Sequence, residues 1–323
     1  MSTSHASTVP ARAALAGNPS DGHGGAVVAT VVPSLTATVS SEVNDRFGFS
    51  GSPNRFASVG DVSDWVEHTE FAGDQPLAQA ALVSLHRRFD ADLSPHHVRF
   101  STTIPRSLGL AGSSAIVTAT IRSMVAAHRN EGWARHLIEH PELIASVALD
   151  AERDVLGIAA GLQDRVVQAL GGTVSMEFGI GHMSVVHGLD VGSYRPIGPL
   201  PDGLFVAYRP DSAGDSGQVH RSADVGSHSF QQAMVRAADA GRDAADAIDR
   251  NDVRALGAAM DATFDQRAVA FPLDRSHVEM IEVARTGGAS ANYTGSGGAI
   301  TVLAPDLRAA RSLADLGCTI VPL

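Results

Sequence analysis

Residues 98–128 constrain this chain more than any other stretch. Val98 to Ile104 alternates as a strand, Pro105 to Ser114 is rich in Gly and Ser, and Ala115 to His128 has the apolar spacing of a helix. The connecting run is Pro105-Arg106-Ser107-Leu108-Gly109-Leu110-Ala111-Gly112-Ser113-Ser114-Ala115. Glycines let the backbone approach an anion closely, and the free N–H groups that open the following helix point toward it. The helix dipole favours negative charge at the same place. Ser113 and Ser114 add hydroxyls that can bind phosphate or Mg²⁺. The same run also suits a tight turn with Ser as the helix N-cap, so spacing alone leaves both uses open.

Around this unit, strands and helices alternate. The β-branched run 26–32 and residues 174–178, 204–208 and 299–303 read as strands, with a last strand after 315. Helices are expected at 76–90, 141–155, 162–170, 229–249, 252–269, 276–286 and 307–315, and loops with short strands over 40–64. This order implies a layered α/β or α+β fold. A chain of 323 residues suits two domains. A boundary fits the Gly-rich region 179–191, which divides the chain into 10–185 and 186–323. Residues 1–9 read as a short disordered tail.

Composition excludes several function classes. A net charge of −11 argues against nucleic acid and anionic membranes as partners. The sequence holds no lysine, so it lacks the Lys that a P-loop or a protein kinase needs at the phosphates. No Gly-x-Ser-x-Gly elbow marks a hydrolase, and the 14 histidines form no Cys/His cluster with zinc spacing. The single cysteine, Cys318, lies in an apolar run and reads as buried. No segment approaches the roughly 20 apolar residues of a membrane span, and the N-terminus lacks the basic and apolar regions of a signal peptide. A cytoplasmic location is expected.

Three further segments carry chemistry-bearing residues. Gly161-Leu162-Gln163-Asp164-Arg165 follows Glu152 by nine residues. Asp164 beside Arg165 suits a helix-surface pair, and Glu152 suits a solvated face. Phosphoryl transfer, however, needs an oxygen ligand for Mg²⁺ and a group that orients or deprotonates the attacking hydroxyl, and two carboxylates meet those needs. Thr294-Gly295-Ser296-Gly297-Gly298 is a second Gly-rich loop before a strand. Near the N-terminus, Arg12 precedes Gly17-Asn18-Pro19-Ser20-Asp21. A fixed Arg can neutralise transferred-phosphoryl charge, while Asp21 can bind sugar hydroxyls or close a turn.

In this order the pieces resemble the motifs of the GHMP kinase superfamily. Gly109-Leu110-Ala111-Gly112-Ser113-Ser114-Ala115 is similar to its second motif with one extra residue, while 10–21 and 294–298 are similar to its first and third. Gly17-Asn18-Pro19-Ser20-Asp21, Gly161-Leu162-Gln163-Asp164-Arg165 and Asp215-Ser216-Gly217 with Val219-His220 resemble its glucuronokinase branch in particular. His23 and Gln218 depart from that branch, which has an aromatic and a Lys there.

The resemblance implies an α+β fold of two parts, an N-terminal domain with a left-handed βαβ unit and a ferredoxin-like C-terminal domain. It implies ATP and Mg²⁺ as cofactors, and a sugar or sugar acid as substrate. Asp164 becomes the catalytic aspartate and Arg12 its basic partner. Gly109, Leu110, Ala111, Gly112, Ser113, Ser114 and Ala115 would bind ATP, with Ser114 and Glu152 on the metal. Asp21, His23, Ser216, His220, Gly295, Ser296 and Gly297 would face the substrate. The same motifs would also fit a kinase for a hexose or heptose, or an inactive homologue that only binds a metabolite.

Overall fold

The computed structural model describes residues 4–69, 75–210 and 224–323. Its spine is β2 (Ala26–Val43). β1 (Ser4–Ala16) lies antiparallel along one edge of it. The other edge is shared: β6 (Thr173–Glu177) pairs with Ala26 to Thr30, and β5 (His96–Thr102) with Ala37 to Val43. β3 (Phe47–Phe49), β4 (Arg55–Phe56) and β9 (Ser193–Ile197) complete this sheet. β3 and β5 run parallel and are joined through α1 (Val59–His68) and α2 (Gln75–Phe89), which makes a βαβ unit.

Burial along β2 follows its cover. Ala26 to Thr30 are all buried, whereas 37–42 alternate between buried and half-buried. α3 (Gly112–Ala127) and α7 (His228–Asp249) both pack on this strand. α7 comes so near that a side chain at Gly241 would start 2.4 Å from the Ala26 carbonyl oxygen. A strand covered on both faces needs apolar residues at every position, which the Ala-Val-Val-Ala run supplies.

The second sheet has the order β11 (Ser290–Tyr293), β12 (Ala299–Leu303), β10 (Leu204–Tyr208), β13 (Thr319–Pro322), all antiparallel. α7, α8 (Val253–Ala270) and α9 (Arg275–Thr286) lie between β10 and β11, and α10 (Arg308–Asp315) between β12 and β13. This is the ferredoxin-like order. The C-terminal end of β1 joins the two sheets. The Ala14 N–H donates to Thr294 O at 3.0 Å, Thr301 Oγ1 donates to Ala14 O at 2.8 Å, and Asn292 Nδ2 donates to Leu15 O at 3.1 Å.

Four expectations are corrected. From Ser4 onward the anticipated tail is strand, because β2 continues to Val43 and offers β1 a partner as far as Glu42. The region 40–64 holds the end of β2 and the start of α1 besides short strands, and α1 begins at a capping box formed by Ser58 and Asp61. The boundary placed at 185/186 falls inside the hairpin of β7 (Ser184–Val186) and β8 (Leu189–Val191), and the first sheet takes in β9 beyond it. The helix expected over 141–155 ends as α5 (Pro141–Asp150) and gives way to a π-turn at Ala151–Val155, which carries Glu152.

Candidate active site

The Gly/Ser loop and the Thr294–Gly298 loop touch each other. Gly109 has φ +67°, and a side chain there would start 3.0 Å from Gly297 O and from Ser296 N. A side chain at Gly295 would start 2.5 Å from Gly109 O. Only glycine permits both the left-handed backbone and this approach. Thr294 Oγ1 donates to Gly109 O at 3.1 Å and fixes the contact.

α3 begins at Gly112, three residues earlier than its apolar spacing suggested, so Ser113 and Ser114 lie in its first turn. Its N-cap, Ala111, is left-handed at φ 62° and supplies no side-chain cap. The opening N–H groups therefore have no capping oxygen from that residue, which suits an anion. Ser113 is exposed, while Ser114 is buried and its Oγ donates to Ala111 O at 3.1 Å. Leu110 is buried and its carbonyl accepts the Arg12 N–H at 3.2 Å.

Arg12 brings the pieces together. Its buried guanidinium donates to Thr294 O and pairs with Asp164 Oδ1. Its Nη1 also lies 3.4 Å from Gly109 O. Asp164 stands in the first turn of α6 (Leu162–Leu170), where the helix dipole favours a carboxylate. From the same helix, Gln168 Nε2 donates to Ala111 O at 2.9 Å and to Pro10 O at 3.1 Å. The Gly/Ser turn and the carboxylate at 164 are thus parts of one assembly, joined through Arg12 and α6.

Arg165 is no surface residue. It is buried, its Nε donates to Glu152 Oε2 at 2.8 Å, and its Nη1 donates to Gly161 O at 2.7 Å. Burial alone would lower its pKa, but the Glu152 and Asp164 carboxylates outweigh that and raise it. Glu152 is fully buried, not solvated, and its Oε1 has no hydrogen-bond partner. A buried carboxylate oxygen without a donor suits a cation. Among the described residues no three His, Cys, Asp or Glu side chains form a metal cage. A kinase Mg²⁺ needs only one or two carboxylates plus phosphate oxygens, so the donor set fits it.

Asp21 lies in a short 3₁₀ turn (Ser20–His23), against the N-cap of α6. A side chain at Gly161 would start 2.8 Å from Asp21 Oδ2, which explains the glycine. Burial, reinforced by the charge of Asp164, pushes the Asp21 carboxyl up to about 6 against the opposing pull of Arg12. His23 turns elsewhere. Its ring meets Phe230 edge-on at 4.9 Å and lines a cavity of about 430 Å³ with Met234 and Ala238, away from the Arg12–Asp164 pair. Ser216 and His220 lie outside the described residues.

Sequence reasoning missed Arg267, which is buried beside Tyr293. Its signal was present: Met260, Phe264, Arg267 and Phe271 recur at helical spacing, which puts Arg267 on the buried stripe of α8. It also passed over His136 and His140, four residues apart at the end of α4 (Gly132–Glu139). Their rings lie 4.7 Å apart at a tilt and His187 Nε2 is 3.3 Å from His136 Nε2, and among the described residues this group forms no metal cage.

Comparison with known proteins agrees with this geometry. The family described as "GHMP kinases N terminal domain" matches residues 76–172. The chain is 32% identical over 316 residues to Glucuronokinase 1 of Arabidopsis thaliana, covering 92% of this chain and 84% of that protein. Among solved structures, galactokinase of Lactococcus lactis complexed with galactose aligns with a TM-score of 0.74 at 13% identity, covering 99% of this chain and 93% of that one. Mevalonate kinase of Methanococcus jannaschii aligns with a TM-score of 0.73 at 14% identity, covering 98% and 97%. These two likenesses establish the fold. With it, the long match to a glucuronokinase and the loops gathered at Arg12 lead to one assignment: this chain is a kinase of the GHMP family.

Proposed function

We propose that the protein transfers the γ-phosphoryl group of ATP to the anomeric hydroxyl of D-glucuronate, giving the 1-phosphate and ADP. The observation that carries this reading is the joining of Asp164, through Arg12, to both glycine loops. The substrate class is supported by the 32% identity to a glucuronokinase over most of the chain.

Phosphoryl transfer asks the protein mainly for position and charge. The uncapped first turn of α3 offers N–H groups to the nucleotide phosphates, and the glycine-to-glycine contact keeps side chains out of their path. Asp164 accepts the hydroxyl proton as the sugar oxygen attacks phosphorus and the bond to the bridging oxygen of ADP breaks. Arg12 holds that carboxylate in place and lends positive charge beside the developing anion. Asp21, at the head of α6, receives sugar hydroxyls. Mg²⁺, when bound, neutralises phosphate charge, and Glu152 Oε1 with the Ser114 hydroxyl would hold it.

A coupled ADP-release screen over uronic acids, hexoses and heptoses tests the reading. D-glucuronate should give the highest kcat/KM. A hexose or heptose that surpasses it replaces the substrate, and ADP release that no sugar stimulates points to a metabolite-binding homologue.

A further inference from the structure

Arg267 is buried to 1% exposure, and its Nε and Nη1 have no hydrogen-bond partner. Among the described residues its guanidinium meets ring faces, with no carboxylate paired to it. The guanidinium carbon lies 5.5 Å from the Tyr293 ring centre and 5.9 Å from that of Phe271. The Tyr293 hydroxyl is also buried without a partner. Buried donors of this kind are costly unless something satisfies them. Here three unsatisfied donor groups on two adjacent side chains face the need of one carboxylate.

Their place in the fold ties them to the sugar side. One turn before Arg267 on α8, Thr263 Oγ1 accepts the Gly17 N–H at 3.0 Å. Tyr293 O accepts Asn18 Nδ2 at 3.0 Å, and the next residue, Thr294, supplies the carbonyl that Arg12 holds. Arg267 therefore lies beneath the loop that carries Asp21. Burial pulls its pKa down to about 10, partly offset by Tyr293 and Asp21, so it stays charged at neutral pH.

Resting on the uronate reading above, we infer that Arg267 and the Tyr293 hydroxyl receive the carboxylate of the sugar acid and separate a uronate from the matching neutral hexose. A planar guanidinium fits a carboxylate bidentately, whereas a hexose C6 hydroxyl offers one neutral oxygen and leaves the buried charge uncompensated.

The test measures kcat/KM for D-glucuronate and for D-glucose in the wild type and in Arg267→Gln, with affinity for a fluorescent ATP analogue as a separate readout. The ratio of uronate to hexose should fall by about 100-fold, while ATP-analogue affinity stays within about twofold of wild type. Equal losses for both sugars, or an unchanged ratio, overturn the inference and leave Arg267 as a packing residue. If Arg267→Gln fails to fold, Tyr293→Phe carries the test: KM for the uronate should rise about tenfold with that for hexose unmoved, one hydrogen bond to a charged group being lost. An unaltered uronate KM overturns the inference there as well. A wild type that prefers a neutral sugar defeats the uronate reading before any variant is made. A wild type that prefers the uronate, with a variant that still does, defeats only the role of Arg267.

Discussion

Two of the buried arginines near the Asp21 loop, Arg165 and Arg267, meet different surroundings. At the head of α6, Arg165 has Glu152 and the Gly161 carbonyl as partners, with Asp164 3.6 Å away and paired in turn to Arg12. On α8, Arg267 meets, among the described residues, aromatic faces and keeps donors without acceptors. The first region satisfies most of its own charge and is set before substrate arrives. The second leaves charge unanswered, as a recognition site does. Catalysis gains from a carboxylate that needs no rearrangement at the moment of reaction. Recognition gains from donors that only the right ligand completes.

Substitutions can break this comparison. The largest effect belongs to Asp164. Asp164→Asn should lower kcat by about 10²–10⁴-fold, the usual worth of a positioned acid or base. Equilibrium binding should find its affinity for an ATP analogue unchanged. Wild-type turnover would remove Asp164 from the chemistry and leave it a mere partner of Arg12.

Next comes Glu152. Glu152→Ala strands the Arg165 charge and should cost about 3 kcal/mol in urea unfolding, as for other broken buried pairs. The milder Glu152→Gln should raise the Mg²⁺ concentration needed for half-maximal rate. An unshifted Mg²⁺ curve in that variant would reduce Glu152 to a structural counter-ion for Arg165.

A smaller loss is expected from Gly295→Ala. Its methyl would lie against Gly109 O and force the two loops apart, an overpacking cost of about 1–3 kcal/mol. Steady-state kinetics should show this mainly as a raised KM for ATP.

The smallest effect is set by Asp21. Its carboxyl is raised to about 6, so between its unfolded value and that point the folded enzyme keeps a proton the unfolded chain has released. This contribution to stability is complete at low pH and is lost as pH climbs through about 6. Sugar binding should move the opposite way, since the ionised carboxylate is the better acceptor. KM for sugar should therefore fall as pH rises from about 5 to about 7, and Asp21→Asn should flatten both profiles. A sloping profile in that variant would assign the titration to another group.

The site was legible in the sequence to the extent that it is made of backbone. The loops at 109–115 and 294–298 announce themselves through glycine, because few other residues tolerate those turns and approaches. Side chains buried by distant partners were harder to see. Arg165 and Glu152 read as surface charges, since nothing local reveals a residue that will pair with them across a π-turn. Arg267 lay on an apolar stripe that could have exposed it, but its ring neighbour Tyr293 is remote in the chain.

By itself the sequence determined most of the helices, the glycine loops and the order of the motifs, because periodicity and backbone freedom are local properties. Tertiary structure alone decided that the segment from Ser4 is strand, that the first sheet runs on to Ile197, and which charges would be paired. The physical reason is that strand pairing and the burial of charge depend on groups far apart in the chain. Arg12 shows both sides: its type was readable from the start, but its hold on residues 164 and 294 exists only in the folded molecule.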